Sequence, residues 1–549
     1  MRASLLFLAF SVFSFAQPYI NYRGIVNVAS YMAPGLPAGS LPLGGMVAIF
    51  GRNLGPTAGA KVSTFPLSTT LSGVSITVTQ KTTVANAIPV YVSAGQINAI
   101  IPSNAPLGRV TLQVTVNNVT SNPSPANIVA SSFSAFAVNS GGFGPGIIQN
   151  YTPTSLDINS TQLTAKPGQV EILWGTGLGA VPVDNVAPTP GNLPGQVEVF
   201  VGGESASLSY HGRTSCCAGI DQINFTVPAN APAGCYVPVV VRLSGTVVGN
   251  TVTMAIDPNG APCSDPANPL AAMFRTGGKF GAALLSHESL QTNANGTAEN
   301  YTADEGTLSL RQEAGGPWAF NPYVSLPPLG TCTAYGIAGV FPALNDLPGA
   351  AASVKDLNGG SAASVTGPPG TLSLPQSGTV PNYYTGLLAT SLNLSNVAST
   401  FLISGSSSTL SVPGGTDVGE FQAAVPAGPT FAWTNQSAVT TVSRAEGFNV
   451  IWTSPPPGAN VVSIIGYNVD MANNATGGFQ CLADPAAGSF TVPAVVMGNV
   501  PATPASGALL GWISVGAASL ASPVTYSASG LDIGVALFAN STQQSVIFQ

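Results

Sequence analysis

The segment Gln96–Gly108 reads QINAIIPSNAPLG, and a close copy, QINFTVPANAPAG, occupies Gln222–Gly234, 126 residues further along the chain. A second pair of related segments lies upstream. Gly45–Gly55 reads GMVAIFGRNLG, and Gly168–Gly179 reads GQVEILWGTGLG. Similarity at a fixed period is the signature of repeated structural units, so the sequence predicts two homologous modules of about 120 residues in tandem.

The segments around these motifs have the pattern of β-strands. Apolar residues alternate with polar ones in Val74–Val78, Val110–Val116 and Val197–Val201, which is the period of a half-buried strand. Within the repeat, we expect the Ile and Val side chains to pack inward. The proline that follows should end the strand, because it has no N–H to donate to a neighbouring strand.

The upstream pair of motifs predicts one further strand in each module. We align Val47 and Ile49 with Val170 and Ile172, and we expect all four side chains to point the same way along their strands. The glycines that follow them allow a tight turn where the chain leaves the sheet.

Together the motifs of the first copy resemble a known family. The pattern in Gly45–Gly55 continues as P-L-x-x-x-L-x-G-V at Pro66–Val74 and as Y-V-S-x-x-Q-I-N-x-x-x-P at Tyr91–Pro102. It is similar to a family of exported modules that are common in acidobacterial proteins and related to the IPT/TIG group of immunoglobulin-like domains. The resemblance covers roughly residues 25–256 and implies two immunoglobulin-like β-sandwiches. It implies no catalytic residue.

The composition excludes several classes of protein. Only 14 basic and 21 acidic residues occur among 549, so 6% of the chain is charged, against about 25% in an average soluble protein. A coiled coil or a helical bundle would need many more Lys and Glu residues. Nucleic acid is excluded as a partner, because 14 scattered basic residues form no cationic surface. A chain that is 45% hydrophobic with a net charge of −7 is also not disordered by charge repulsion.

The N-terminus has the features of a secretory signal peptide. Arg2 supplies a positive charge, Leu5–Phe15 form an apolar stretch, and Ser14 and Ala16 give the small-x-small cleavage pattern. The sequence therefore predicts cleavage after Ala16 and a secreted or cell-surface location. No later apolar run is long enough to span a bilayer, so no membrane anchor is expected.

We predict an all-β fold of tandem immunoglobulin-like sandwiches followed by one or two further β-sandwich domains. The predicted segments are the signal peptide (1–16), module 1 (25–140), module 2 (141–256), a linker (257–269) and two further sandwich segments (270–430 and 431–549), which could pack as one unit.

An even number of cysteines in an exported chain favours disulfides. A bridge between the adjacent Cys216 and Cys217 would be strained. We therefore expect each of these two to pair with Cys235 or Cys263. The remaining pair would be Cys332 and Cys481.

Two clusters of residues could be mistaken for reactive sites. His211, Arg213 and Asp221 surround the adjacent cysteines, but the spacing fits no zinc motif, and a disulfide-braced loop is favoured over a metal or nucleophilic site. The glycine-rich Gly175–Gly179 lacks the lysine and helix of a phosphate loop, so it predicts a structural turn. We expect no metal and no cofactor.

No catalytic motif is present. The chain has two histidines and no G-x-S-x-G elbow, which disfavours a serine hydrolase. A glycosidase needs only two facing carboxylates, and Asp304, Glu305, Asp417 and Glu420 are available for that role.

Aromatic residues supply a candidate binding face. Trp318, Phe320 and Tyr323 lie in the stretch PWAFNPY, where Trp318 and Phe320 could share one face as a platform for stacking sugars, although core packing is the commoner role. Trp433 and Trp452 each end an alternating apolar series and are expected in a sandwich core.

These observations favour a non-enzymatic secreted or cell-surface protein. It would act as an adhesive or structural stalk with a binding face for extracellular polysaccharide or a surface protein. Two alternatives remain open: a carboxylate-based, polysaccharide-active enzyme with accessory immunoglobulin-like modules, and a structural component of a surface layer.

Overall fold

The structure is a computed structural model. It describes residues 17–549 except 37–38, 295–296, 323, 340–354, 379–381, 393–398, 429–430, 454, 456–457 and 505–510. The predicted signal peptide lies outside the described residues. Strands account for 52% of the chain and helices for 3%, which confirms the all-β fold class.

Module 1 is a sandwich of two sheets. Its strands are β1 (Tyr19–Asn27), β2 (Leu41–Pro42), β3 (Met46–Arg52), β4 (Ala60–Lys61), β5 (Thr70–Leu71), β6 (Val74–Gln80), β7 (Thr83–Val92), β8 (Gln96–Ile100), β9 (Gly108–Val116), β10 (Val119–Thr120) and β11 (Ser124–Val129). One sheet has the order β1-β3-β8-β7 and the other has the order β6-β9-β11. The first half of β7 pairs with β6 and the second half with β8, so β7 joins the two sheets. Four strands facing three in this order form an immunoglobulin-like sandwich.

Module 2 repeats this topology. Its strands are β12 (Ser134–Ala135), β13 (Ile148–Tyr151), β14 (Leu156–Ile158), β15 (Val170–Thr176), β16 (Val197–Val201), β17 (Glu204–Arg213), β18 (Asp221–Thr226), β19 (Gly234–Leu243), β20 (Val247–Val248) and β21 (Val252–Ile256). The sheets are β13-β15-β18-β17 and β16-β19-β21, and β17 again pairs with strands of both sheets. The predicted tandem of immunoglobulin-like sandwiches is therefore confirmed.

The repeated Q-I-N motif forms the equivalent strands β8 and β18. The isoleucine of each copy is fully buried in its module core. On the opposite face, the glutamine side chain donates a hydrogen bond to the asparagine Oδ1, at 2.8 Å within Gln96–Asn98 and at 2.7 Å within Gln222–Asn224. The motif therefore joins a core position to a fixed pair of surface amides.

The predicted alignment of β3 with β15 is wrong by one residue. Ile49 lies opposite Ile97 in module 1, and in module 2 it is Leu173, not Ile172, that lies opposite Ile223. Because side chains alternate along a strand, a shift of one residue moves every side chain to the other face. Leu173 therefore belongs to the core of module 2, at the position that the alignment gave to Ile172.

This shift places a carboxyl group in the interior of module 2. Glu171 takes the inward position that Val47 holds in module 1, and Val170 is only partly buried. Glu171 is fully buried, and neither carboxyl oxygen has a hydrogen-bond partner among the described residues. Burial raises the pKa of Glu171 to about 9, so the group is protonated at neutral pH.

The rest of the chain, residues 270–549, is called the tail here. It contains the short helices α1 (Leu270–Thr276) and α2 (Ala494–Met497) and the strands β22 (Gly278–Ala294), β23 (Thr297–Glu313), β24 (Thr331–Ala338), β25 (Lys355–Asp356), β26 (Ala362–Gly367), β27 (Gly370–Pro375), β28 (Tyr383–Thr390), β29 (Ser407–Val412), β30 (Phe421–Pro426), β31 (Ala432–Trp433), β32 (Thr441–Val442), β33 (Gly447–Thr453), β34 (Val461–Asp470), β35 (Ala475–Ala483), β36 (Ser489–Pro493), β37 (Gly511–Ala518), β38 (Val524–Tyr526) and β39 (Ile533–Phe548).

One large sheet runs through the whole tail. Its main path is β24-β35-β34-β37-β39-β22-β23-β25. β22 and β39 pair in parallel from Phe280 opposite Ile533 to Gln291 opposite Gln544. Strands from both predicted tail segments thus share this sheet, and the predicted boundary at residue 430 cuts across it.

Two smaller sheets cover one face of the large sheet. The four-stranded sheet β27-β26-β29-β30 encloses one core with β22 and β23, and the three-stranded sheet β31-β33-β36 encloses another with β34, β35 and β37. Trp433 and Trp452 lie in the second core with 4% and 2% exposure, as their alternating patterns predicted.

The disulfides differ from expectation at two of the three pairs. Cys332 is bonded to Cys481, as expected, but Cys235 is bonded to Cys263, and Cys216 to Cys217. The expected cross-pairing is wrong because Cys216 and Cys217 precede β18 whereas Cys235 follows it. A six-residue strand separates its two ends by about 20 Å.

The predicted linker is tied to module 2 by more than its disulfide. The Cys263 backbone N–H donates to the Thr161 carbonyl at 3.0 Å, and the Asp265 carboxylate accepts from the Cys235 backbone N–H at 2.9 Å. Arg275 of α1 bonds the other oxygen of Asp265 at 3.0 Å. These contacts connect module 2 to the start of the tail.

Candidate functional site

Trp318 and Phe320 of the predicted aromatic platform have different surroundings. The indole Nε1 of Trp318 donates a hydrogen bond to the Asn159 carbonyl at 2.9 Å. Trp318 is 38% exposed. Phe320 instead packs inside the junction of module 2 with the tail, with ring centroids 5.6 Å from Tyr236 and 6.0 Å from Phe143. Tyr323 lies outside the described residues. Trp318 and Phe320 therefore do not share one exposed face.

Two of the four candidate carboxylates, Asp304 and Glu305, do not face each other. Asp304 and Glu305 are neighbours in β23, so they point to opposite faces of the sheet. Asp304 is buried and accepts hydrogen bonds from the backbone N–H groups of Phe401 and Leu402 at 2.6 and 2.8 Å. Asp417 accepts from the Asn358 backbone N–H at 2.9 Å. Both aspartates thus have structural contacts in the tail.

Asp304 also orients the histidine of the tail. The Nδ1 atom of His287 lies 2.5 Å from the Asp304 Oδ1 atom, and this hydrogen bond raises the pKa of His287 above its usual value. The pair belongs to the face of the large sheet that the smaller sheets cover.

The opposite face of the large sheet carries aromatic and polar side chains that are at least partly exposed. We call it the tail face. Its members, which share one side of β34, β37, β39, β22 and β23, are Ile465, Tyr467, Trp512, Ser514, Gln543, Glu288, Leu290, Tyr301 and Glu305.

Strand register places these residues in rows. Tyr467 lies directly opposite Trp512. The next row begins with Ile465, which is 40% exposed, and continues through Ser514 to Gln543. Side chains that lie opposite each other in a sheet have Cβ atoms about 5 Å apart, so the two aromatic rings share one continuous patch.

Two carboxyl groups border the aromatic patch. The Gln543 Nε2 atom donates to a Glu288 carboxylate oxygen at 2.8 Å. Burial, followed by the nearby charge of Glu305, raises the pKa of Glu288, and burial alone raises the pKa of Glu305. These groups are thus partly shielded from water while remaining at the surface.

The tail face combines two means of holding a sugar. The rings of Trp512 and Tyr467 offer apolar surfaces to the C–H face of a sugar ring. Gln543, Ser514 and Glu288 offer amide, hydroxyl and carboxylate groups to its hydroxyls. Strands hold all of these groups, and a site on strands is more rigid than one on loops.

The sequence interpretation missed this face, although β37 contains a signal for it. In the segment GWISVGA at 511–517, the apolar Ile513 and Val515 alternate with Trp512 and Ser514. A tryptophan that shares its parity with serine and glycine faces away from the core. The strands that complete the face, β22 and β34, come from distant parts of the sequence, and no local pattern pairs them with β37.

The described residues contain no group of three or more His, Cys, Asp or Glu side chains that could hold a metal ion. Within the same part of the chain, no helix has the length and apolar character needed to cross a membrane.

Comparison with known proteins gives no family assignment. No protein-family model matches the chain, and no curated protein does either.

Solved structures give only distant similarities. The plexin A4 extracellular region is 14% identical over 44% of this chain and 18% of its own length, with a TM-score of 0.17. SGBP-B of the Bacteroides ovatus mixed-linkage glucan utilization locus, in complex with a heptasaccharide, is 11% identical over 84% of both chains, with a TM-score of 0.14. Domains 5-6 of the S-layer protein SbsC are 13% identical over 44% of this chain and 98% of theirs, with a TM-score of 0.16. At these TM-scores the similarities carry no argument, and the assignment of fold rests on the strand topology.

Proposed function

We propose that this chain is an exported, non-enzymatic β-sandwich protein that binds extracellular polysaccharide through the tail face. The observation that carries the proposal is the pairing of Trp512 with Tyr467 beside the hydrogen-bonded Gln543 and Glu288 on a partly exposed face of the sheet. An aromatic surface next to fixed polar groups can stack against the apolar face of a sugar ring and form hydrogen bonds with its hydroxyls.

Export is part of the proposal. The signal-peptide pattern of residues 1–16 and the absence of free cysteines among the described residues both support an oxidising compartment outside the cytoplasm.

The two modules would hold the tail face in place. Module 2 contacts the tail through Phe320 and Tyr236, and Phe143 packs edge-on against Tyr335 of β24 at 5.7 Å. Module 1 contacts the tail through Met32, which belongs to a buried cluster with Ala475 of β35. These contacts support a braced base for the binding face rather than a flexible stalk.

The test is polysaccharide binding by the whole chain from Gln17 onward, compared among the wild type, Trp512→Ala and Trp318→Ala. Removing Trp512 should weaken binding at least tenfold, because stacking and burial of one aromatic ring supply well over about 1.4 kcal/mol. A glycan array identifies the ligand, and affinity electrophoresis or calorimetry measures the change.

Trp318→Ala is the matched control, since it removes an exposed tryptophan that lies outside the tail face. Loss of binding in the Trp318 variant alone would return the site to the predicted PWAFNPY platform. Absence of binding to every polysaccharide, together with self-association of the wild type at micromolar concentration, would favour a surface-layer component. Release of reducing sugar from a bound polysaccharide would favour the enzyme alternative.

A further inference from the structure

A groove with a cavity of about 450 Å³ lies between the two modules. In module 1 the lining comes from the residue before β5, from β7 and from the segment after β8, and in module 2 it comes from the segment after β15. It comprises Thr69, Asn86, Ile88, Ser103, Asn104 and residues 181–185. A second cavity of about 300 Å³ shares residues 181–184 with its lining. Volumes of this size are typical of small-molecule sites. We call the first cavity the junction groove.

Hydrogen bonds across the modules hold the wall formed by residues 181–185. Both carboxylate oxygens of Asp184 accept from Ser103, one from its backbone N–H and one from its Oγ, each at 2.7 Å. The Ser103 Oγ also accepts from the Val181 backbone N–H at 2.9 Å. The Leu67 backbone N–H donates to the Asn185 carbonyl at 2.7 Å. The shape of the groove therefore depends on the docking of the two modules.

A buried ion pair fixes that docking. Arg213, 4% exposed, is paired with the fully buried Asp221 and donates hydrogen bonds to the carbonyls of Gly44 in module 1 and Gly179 in module 2, both at 2.7 Å. Ala218 beside it packs in an apolar cluster with Ile100 and Ile88 of module 1. Ile88 of this cluster also lines the floor of the groove.

The groove offers hydrogen-bonding groups and no positive charge. Asn86, Asn104 and Thr69 are exposed there. Their side-chain amide and hydroxyl groups take no part in the hydrogen bonds that hold the groove wall. The lining includes no Lys, Arg, His or Glu, and both oxygens of its single carboxylate, Asp184, are already bonded. Val183, 53% exposed, adds apolar surface.

We infer that the junction groove is a second binding site, which takes a neutral, hydroxyl-rich ligand of one or two sugar units. Amides and hydroxyls match sugar hydroxyls as both donors and acceptors, whereas an anionic ligand would find no positive charge in the lining to compensate its loss of water. The apolar side chains would contact the C–H groups of a sugar ring. This site is separate from the tail face and does not depend on it.

The experiment uses the whole chain with Trp512→Ala, in which binding at the tail face is weakened at least tenfold. Calorimetric titrations with cellotetraose, laminaritetraose, mannotetraose and maltotetraose are expected to reveal binding of at least one neutral oligosaccharide. In this background the double change Asn86→Ala with Asn104→Ala should weaken binding about tenfold or more, because each lost hydrogen bond contributes about 1 kcal/mol.

A space-filling variant and a matched control complete the design. Val183→Trp should abolish binding by occupying the groove, whereas Leu163→Trp, at an equally exposed position 52% open to solvent on module 2, should leave it unchanged. Binding that persists in the Val183 variant, or the absence of binding to all four neutral oligosaccharides, would overturn the inference. Binding of a peptide in place of the sugars would overturn it as well.

Discussion

Modules 1 and 2 have the same strand order but different residues at one equivalent core position. Module 1 places Val47 in the interior of its sandwich, and module 2 places Glu171 there, fully buried and without a hydrogen-bond partner among the described residues. A second difference lies at the residue just before the repeated motif, where module 1 has the exposed Gly95 and module 2 has the buried Asp221 paired with Arg213. The fold tolerates such changes because topology depends on the alternating pattern of a whole strand and not on one side chain.

These differences suggest that the two copies have divided their roles. In module 1, Val47 and Ile97 belong to one apolar cluster, whereas module 2 uses buried charge to attach itself to its neighbour. A buried ion pair contributes little net stability but strongly penalises any arrangement that leaves one partner unpaired. It therefore selects one way of docking the modules.

The largest effect is expected at the ion pair. Arg213→Met should lower the free energy of unfolding of module 2 by about 3–5 kcal/mol, because it leaves the Asp221 carboxylate buried without its partner. Arg242→Met is the control, since its ion pair with Glu198 is about one quarter exposed and should contribute less than about 1 kcal/mol. Native-state hydrogen exchange measures each module separately. Equal effects of the two changes would contradict a special role of Arg213.

The next effect is expected from exchanging the core residues of the modules. Glu171→Val should stabilise module 2 at pH 7 by about 3 kcal/mol, and Val47→Glu should destabilise module 1 by a similar amount. The reason is that the unfolded chain releases the glutamate proton near its ordinary pKa, whereas the folded module retains the proton up to a pKa of about 9.

The same linkage predicts the pH dependence. Below a pH of about 4.5, Glu171 is protonated in both the folded and the unfolded state, so its ionisation does not change the free energy of unfolding. Between that pH and about 9, the stability of module 2 should fall by about 1.4 kcal/mol per pH unit. The Glu171→Val variant should lose this slope. The test is urea unfolding at pH 5, 7 and 9, with the unfolding of module 2 monitored by hydrogen exchange. If the stability of wild-type module 2 did not change with pH, Glu171 would have a partner in the folded state.

The smallest effect concerns what the modules share. Gln96→Ala and Gln222→Ala each remove one amide hydrogen bond on the sheet surface, and each should cost about 1 kcal/mol in its own module. The two losses should agree within about 0.5 kcal/mol if the bond has the same role in both copies. A much larger loss in one module would show that its amide pair has an additional contact there.

Much of the module architecture could be predicted from the sequence because the relevant signals are local or repeated. The Q-I-N motif identified equivalent strands, and the prolines Pro102 and Pro228 come just after those strands end. The register of β15 could not be predicted, because its apolar residues run together from Ile172 to Trp174 and either face could be inward. Only the partner strand β18 decides which face is buried.

The candidate site was less predictable than the fold. An exposed aromatic in a polar, proline-bounded stretch suggested Trp318, but a contact with Asn159, far away in the sequence, holds its indole at the junction. The position of Trp512, in contrast, can be predicted from its own strand, because it alternates with the apolar Ile513 and Val515 and therefore points away from the core. Its neighbours on the tail face, Tyr467 and Gln543, became visible only with the pairing of β34, β37 and β39.

By itself, the sequence determined the all-β class, the two homologous modules and the cysteines available for disulfides. These features follow from the alternation of residues along single strands, from self-similarity and from composition. The tertiary structure alone decided that β22 pairs with β39 across about 250 residues, that Glu171 points inward, and that a groove opens between the modules. The physical reason is that strand pairing and docking depend on the combined burial of many distant side chains, and no short segment specifies that burial.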